Sequence, residues 1–267
     1  ESGQVRESFI CPHCGETWRK TELHLLRSEP VRTNYTYTVP SMGKKPSKKP
    51  KVRRAERPVS AFELQRLKEI EEREIPYWYP TTPFDNTREM WRGVHRDAGI
   101  TRVCDFYTKR NLWALGRIWN ESGKLNDKIQ GAVRFLVTAA MFNICRMVKY
   151  RSDRKGGVVT GTLYVPSLYI DQNVIEALTR KFKDCLPALK IGQKNFCHTS
   201  SFHAGQLTGL PESAVDYIFT DPPFGSNIFY SDCSFLWESW LGEFTDDTKE
   251  AVWNKSRKPE EGGKTLD

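Results

Sequence analysis

The sequence predicts an α/β fold with a mainly parallel sheet, and three observations carry that expectation. Helical and extended patterns alternate through the second half of the chain. One extended stretch, VDYIFT (215–220), is apolar along most of its length, as a strand buried on both faces should be. It runs directly into DPPF (221–224), a stiff corner at the carboxyl end of that strand, where open parallel sheets place their ligands.

The elements are predicted in order as follows. Residues 8–39 read as a small β unit: Ser8 to Ile10 lead into a Cys pair, and VRTNYTYTV (31–39) alternates as a strand does. A basic, Pro-containing stretch follows. Ser60 with Glu63 has capping-box spacing and opens a helix through about Glu74, whose dense charge places it outside the core. IPYWYPTTPFDNT (75–87) is a proline-punctuated aromatic loop. Thr108 caps a helix that stops at Gly123 and lines up Leu112, Leu115 and Trp119 on one face. A long helix is expected over 127–149, with Ile129, Val133, Leu136, Val137, Ala140, Met141 and Ile144 at helical spacing. GGVVTGTLYVPS (156–167) suggests a hairpin or short strands, and 171–186 an amphipathic helix with Asp171 as its cap. NFCHTSS (195–201) reads as a short strand and turn, and 231–241 as a last helix carrying Leu236, Trp237, Trp240 and Leu241. The expected units are therefore 1–43 (β unit), 44–59 (basic linker or arm), 60–100 (helix and aromatic loop) and 101–267 (α/β domain).

Composition narrows the class. With 267 residues, 38% of them hydrophobic and 12% aromatic, the chain can build a substantial core. No apolar run approaches the roughly 20 residues of a membrane span; AVRFLVTAAMFNIC (132–145) is too short and contains Arg134 and Asn143. Seven cysteines, of which only Cys11 and Cys14 are closely spaced, suit a reducing cytoplasm better than secretion. The net charge of +8 is concentrated: KKPSKKPKVRRAER (44–57) holds eight Lys or Arg against one Glu, leaving the remainder close to neutral. Such a segment is either a solvated linker or an arm that follows a polyanion. The opening on Glu1, the half metal site at Cys11 and Cys14, and an ending without a helix-closing signal read as part of a longer polypeptide.

DPPF has a definite chemical use. Two successive prolines fix the backbone and remove N–H groups, so the corner presents the Asp221 carboxylate, the Pro222 carbonyl and the Phe224 ring, with Pro223 as the stiffener. The exocyclic amine of a nucleobase is a poor nucleophile, because its lone pair is delocalised into the ring. Two fixed acceptors, one for each N–H, favour a pyramidal nitrogen and stabilise charge developing on it. Holding that nitrogen in line with an electrophilic methyl adds a positioning gain. Phe224 offers a face for a base flipped from its stack.

These residues resemble the catalytic motif of the S-adenosylmethionine-dependent amino-methyltransferases that act on adenine N6 or cytosine N4. The run HTSSFHAGQLTGLPESAVDYIFTDPPF is similar to that family's approach to its catalytic strand. IPYWYP, FYTKRNLWAL, GTLYVPSL and DPPFGSNIFYSD resemble, in order, landmarks of the large prokaryotic DNA methylases that carry an inserted zinc-ribbon-like segment. The resemblance covers most of 75–245. It implies a Rossmann-like methyltransferase fold, incomplete in this chain, with a small β zinc-ribbon-like segment at its start. It also implies S-adenosylmethionine as cofactor, DNA as partner (RNA as the alternative) and adenine N6 ahead of cytosine N4 as target. Phe106, Tyr107 and Thr108 would lie over the methionine end of the cofactor, where a helix N-terminus suits a carboxylate. Ser200 or Ser201 would lie near the adenosine, and Asp221 beside the reacting end. The family's glycine-rich cofactor loop is not found: KGGVVTGT (155–162) lacks the apolar strand before it and the helix after it, and reads as a turn. One account puts that loop in a preceding part of the polypeptide, which would then be a partner of this chain. The other makes the chain a nucleic-acid-binding module that has lost methyl transfer.

Two further signals complete the reading. CPHC supplies two thiolates, Cys11 and Cys14, the usual half of a tetrahedral structural zinc site. His24 is a possible third ligand, while His13 sits awkwardly within the pair. Without metal, the cysteines are small hydrophobes or a redox pair. Lys44, Lys45, Lys48, Lys49, Lys51, Arg53 and Arg54 are the candidate phosphate contacts, with Tyr77, Trp78 and Tyr79 available either to touch bases or to pack in the core. Arg96, Arg102, Lys109 and Arg110 are further phosphate candidates or plain surface charge.

Overall fold

The computed structural model describes residues 8–10, 15–19, 32–39, 51–151, 156–166, 168–192, 211, 213–221, 228–247 and 252. The chain divides into two compact units, Leu25–Pro76 and a larger one made of Glu1–His24 with Tyr77–Asp267. No described helix is long and apolar enough to cross a membrane.

In the smaller unit, β3 (Arg32–Val39) pairs antiparallel with β4 (Lys51–Pro58) over their full length, from Arg32 opposite Pro58 to Val39 opposite Lys51. The second half of the basic stretch is thus a ladder strand and not a solvated arm. The expected boundaries near 43 and 59 both fall inside this unit. The charge run misled because a strand needs backbone partners, which Lys and Arg do not forbid. The helix α1 (Ala61–Glu72) opens as its sequence predicts. Ser60 Oγ accepts from the Glu63 N–H, and the Glu63 carboxylate accepts from the Ser60 N–H at 2.9 Å. Arg57 grips the same carboxylate at 2.8 and 2.9 Å, which with the Ser60 bonds holds the Glu63 pKa down to about 2. None of α1 is buried, in keeping with its charge.

The larger unit begins with a short hairpin, β1 (Ser8–Ile10) against β2 (Thr17–Arg19), whose connection carries the Cys pair. Its core is helical: α2 (Gly93–Asp97), α3 (Lys109–Ser122), α4 (Asp127–Ala140), α5 (Val174–Gly192) and α6 (Tyr230–Leu241). The apolar face of α3 buries Leu112, Leu115 and Trp119 as its spacing predicts. Trp119 meets Trp240 of α6 at 5.3 Å between ring centroids, and Trp78 from the aromatic loop meets Trp240 edge-on at 5.9 Å. The loop reaches this place because α3 carries Gly116: a Cβ there would stand 3.1 Å from the Trp78 carbonyl oxygen and 3.2 Å from Tyr77 Cβ. Phe84 centres a second cluster, stacked on Trp91 and edge-on to Phe235 at 4.9 Å.

Three expected boundaries move. The helix expected over 127–149 ends at Ala140 and tightens into a short 3-10 turn at Met141–Asn143. Beyond it Ile144, Cys145, Met147 and Val148 are buried at a spacing one helix face could also supply, so the pattern alone does not reveal the break. The chain instead donates from the Arg146 N–H to the Phe106 carbonyl, and Val148 accepts from the Ile170 N–H. Helix α5 runs through Pro187 to Gly192. Both Pro187 and Lys183 are exposed, so water can take the carbonyl that proline leaves without a donor. Asp171 does not cap α5; Asn173 does, accepting from the Glu176 N–H at 3.1 Å.

The described part of the expected hairpin at 156–167 forms no strand; an isolated bridge pairs Lys149 with Tyr169, the residues that flank it on either side. The chain approaches itself so closely that a Cβ on Gly156 would fall 2.0 Å from the Lys149 carbonyl oxygen. The apolar run 215–220 is also not a buried parallel strand: no described strand pairs with it, and Tyr217 and Phe219 are each 80% exposed. Apolarity signals a demand for burial but cannot supply the neighbouring strands that meet it. The sheets among the described residues are the two antiparallel pairs.

Two polar contacts fix the scaffold, and neither is visible as a sequence pattern. Asp232, in the first turn of α6, is buried; its carboxylate accepts from the Met90 N–H at 2.9 Å and lies 3.3 Å from Arg88 Nη1. Arg88 also covers the Phe235 ring at 4.1 Å. Asp232→Ala removes the nearer of the two carboxylates beside Arg88, leaving Asp247 at 3.9 Å, and strips the Met90 N–H of its acceptor; it is expected to cost about 1–3 kcal/mol of stability, read as a lowered urea midpoint. A loss below about 1 kcal/mol would place this contact among ordinary surface pairs.

His95 of α2 is buried, with Nδ1 accepting from the Arg92 N–H at 3.1 Å and Nε2 donating to the Leu163 carbonyl at 2.8 Å. These partners hold the neutral ring, and burial pushes its pKa below the ordinary 6.5. Because the unfolded chain then takes up the proton first, the stability His95 contributes is complete above pH 6.5 and is lost as pH falls through the folded-state pKa. The melting temperature of His95→Gln should accordingly fall less steeply than that of the unaltered protein between pH 7.5 and 5. Parallel pH profiles would contradict this.

Candidate functional site

The best-built polar cluster lies at the start of α3. Thr108 is extended (φ −72°, ψ 150°) and its hydroxyl accepts from the Asn111 N–H, which makes it the N-cap that the sequence suggests. The same hydroxyl donates to the carboxylate of Asp171, 3.1 and 3.2 Å from its two oxygens. Arg110 Nη2 reaches Asp171 Oδ2 at 2.6 Å, and Asn111 Nδ2 reaches Oδ1 at 2.7 Å. Asn111 is itself buried and donates further to the carbonyls of Ile144 and Gln172, at 3.0 and 2.9 Å. A single carboxylate thus gathers three side chains from one helical turn, where the helix dipole favours negative charge.

Electrostatics at this cluster oppose one another. Partial burial raises the Asp171 pKa above the ordinary carboxylate value, while Arg110, Thr108 and Arg146 pull it down without fully offsetting the burial. Next to it, Phe106 and Tyr107 are fully enclosed. Phe106 packs on Phe84 and His95. Tyr107 lies edge-on to Trp240, and its Oη and the Trp240 Nε1 are both buried without a geometrically sound hydrogen bond. Burial drives the phenol well above its usual pKa, the nearby Trp240 N–H offsetting only part of it. Burial also raises the thiols of Cys145, to about 12, and Cys104, to about 11, which makes both inert as nucleophiles at neutral pH.

The sequence-derived candidates separate on this frame. Of the five expected cofactor residues, Phe106 and Tyr107 belong to the core through their side chains, and Thr108 is part of the polar cluster. Asp221 is exposed, and among the described residues its carboxylate makes no hydrogen bond or ion pair. Pro222, Pro223, Phe224, Ser200 and Ser201 lie outside the described residues, as do Cys11, Cys14, His13, His24, Lys44, Lys45, Lys48 and Lys49. Lys51, Arg53 and Arg54 fall on β4, opposite Val39, Tyr37 and Thr36. No group of three or more potential metal ligands occurs among the described residues. The described part of KGGVVTGT forms a turn, with Thr162 Oγ1 donating to the Val159 carbonyl.

The basic and aromatic candidates also find places. Arg110 is committed to Asp171, Arg102 lies 3.6 Å from Asp105, and Arg96 covers the Trp91 ring at 4.9 Å. Trp78 is 55% exposed even though its edge meets Trp240, while Tyr77 and Tyr79 are half-buried. Sequence reasoning missed Asp171 as a partner of Thr108, as well as Asn111. The usable signal was the Thr-Lys-Arg-Asn run itself, which puts one buried amide and one cation on the first turn of a capped helix.

The chain was compared with models of known protein families, with curated proteins and with solved structures, and none matches. Asp221 can therefore be judged on its own surroundings. Because its carboxylate is exposed, Asp221→Asn is expected to change stability by less than about 0.5 kcal/mol. Thermal unfolding measures this, and a loss above about 1 kcal/mol would show that the carboxylate has folded-state partners.

Proposed function

We propose that the chain is the catalytic part of an S-adenosylmethionine-dependent amino-methyltransferase acting on DNA, with adenine N6 as the preferred target. The observation that carries the reading is the sequence Asp-Pro-Pro-Phe at 221–224, set among the ordered segments IPYWYP, FYTKRNLWAL and GTLYVPSL. The exposure of Asp221 supports it, since a carboxylate that no described residue engages can accept from an incoming amine.

In this reading Asp221 and the Pro222 carbonyl accept the two N–H bonds of the target amine and turn its lone pair outward. Phe224 carries the flipped base. S-adenosylmethionine, when bound, supplies an electrophilic methyl on a sulfonium. The fit to this chain is partial. The first turn of α3 offers a capped, positively polarised helix start, but the side chains of Phe106 and Tyr107 are enclosed, so contacts there would come from the backbone and from Thr108. The basic residues of 44–57 would follow phosphates, and zinc at Cys11 and Cys14 would have a structural role.

A second reading is a nucleic-acid-binding module without methyl transfer. It is favoured by the turn at 156–162, in the segment nearest in composition to a glycine-rich cofactor loop, and by the run 215–220, with which no described strand pairs. Titration calorimetry of the full-length polypeptide with S-adenosylmethionine separates the two readings, since the second predicts no heat of binding and DNA affinity that falls steeply with salt.

For the catalytic reading, Asp221→Ala should abolish transfer of a radiolabelled methyl group from S-adenosylmethionine to DNA while DNA affinity stays within about twofold, because only the reacting amine loses its acceptor. Undiminished labelling would remove Asp221 from the reaction. Labelling of RNA in preference to DNA would shift the substrate class.

A further inference from the structure

We infer that Asp171 is a positioning residue: by taking Thr108, Arg110 and Asn111 at once it fixes the first turn of α3, the backbone against which the polar end of the cofactor is proposed to lie. The second half of this inference rests on the methyltransferase reading, whereas the clasp itself rests on geometry alone.

The geometry is convergent. Asp171 lies two residues before the Asn173 cap of α5, so its bonds tie the start of α3 to the start of α5. Asn111 extends the tie to Ile144, beyond the end of α4. The charged groups acting on the carboxylate are Arg110 on α3 and Arg146 from the segment after α4. The starts of α3 and α5 and the segment after α4 are thus registered by two side chains, Asp171 and Asn111.

The energetics point away from a purely stabilising role. A carboxylate kept for stability has its pKa depressed by folding. That of Asp171 is raised, so its contribution is present below the unfolded-state pKa and is lost as pH rises through the folded one. At neutral pH the ionised form is held at a net cost, and groups held in that way concentrate where position matters to function. What the protein gains is a unique setting of Thr108 and of the α3 turn.

The test compares the unaltered chain with Asp171→Asn and Arg110→Gln by hydrogen–deuterium exchange over 106–112 and by titration with S-adenosylmethionine. In Asp171→Asn the amides of Lys109 to Leu112 should exchange at least about tenfold faster, with the melting temperature at pH 7 unchanged or higher, since a charged hydrogen-bonded contact is lost locally. Cofactor affinity should weaken about tenfold with kcat held within about twofold, as expected when binding geometry and not chemistry is disturbed. Arg110→Gln, at a side chain that is 43% exposed, should shift both readouts in the same direction and serves if the first variant folds poorly. Unchanged exchange in both variants would overturn the clasp. Faster exchange with unaltered cofactor affinity would overturn the positioning role. Failure of the full-length polypeptide, unaltered, to bind S-adenosylmethionine would overturn the methyltransferase reading and leave exchange to decide the clasp.

Discussion

The larger unit depends on the burial of one indole. Trp240 meets Trp119 of α3, Trp78 of the aromatic loop and Tyr107 just before the α3 cap, so three segments distant in sequence share one ring. Each such aromatic contact adds about 0.5–1.5 kcal/mol to the burial of its area. The arrangement has a polar cost, because Trp240 Nε1 and Tyr107 Oη are enclosed without sound partners. It is carried because the same ring places α6 against α3 and holds Tyr107, whose backbone leads directly into Thr108. The position of the polar cluster is therefore a consequence of apolar packing one residue away.

The legible part of the fold is the local part. The Ser60–Glu63 box, the Thr108 cap and the 112/115/119 face of α3 are all written in residues a few positions apart, and all form as read. What escaped reading depends on distant partners. Asp232 finds Arg88, His95 finds the carbonyl of Leu163, and Asp171 finds Arg110; in each case the spacing of the residues carries no periodic signal. Asp171 is instructive because its local chemistry supports a different role. An Asp before an amphipathic stretch is a good cap candidate, but Asn173 stands closer to the helix start and frees Asp171 for a tertiary bond. The overlong 127–149 helix failed for a related reason: past Ala140 the backbone bonds to distant partners, the Phe106 carbonyl and the Ile170 N–H, which the helical spacing of its apolar residues does not announce.

The stretch leading into DPPF shows the limit of hydrophobic pattern as a structural signal. VDYIFT has the composition of a two-sided buried strand, yet the fold leaves Val215, Tyr217, Ile218 and Phe219 exposed. Full burial of such side chains is worth about 1.5–3 kcal/mol each, so the pattern encodes a preference that the described residues do not satisfy. A helix can close its own hydrogen bonds, which is why the helices here form where their patterns lie. A strand cannot, and its pattern is only half of an instruction.

Three aspartates show how environment assigns chemistry to identical side chains. Asp232 is buried against a guanidinium and a backbone N–H, a combination that holds helix and loop together but leaves no acceptor capacity facing a ligand. Asp171 is partly buried with three side-chain donors and two arginines near it; it can orient its neighbours but has no capacity left to accept from a substrate. Asp221 is exposed, and among the described residues nothing occupies its carboxylate. A group that must grip an amine needs free acceptor capacity before it needs a tuned proton affinity. On that criterion Asp221 is the one of the three that the proposed reading can set against an amine, while Asp171 and Asp232 are engaged within the fold.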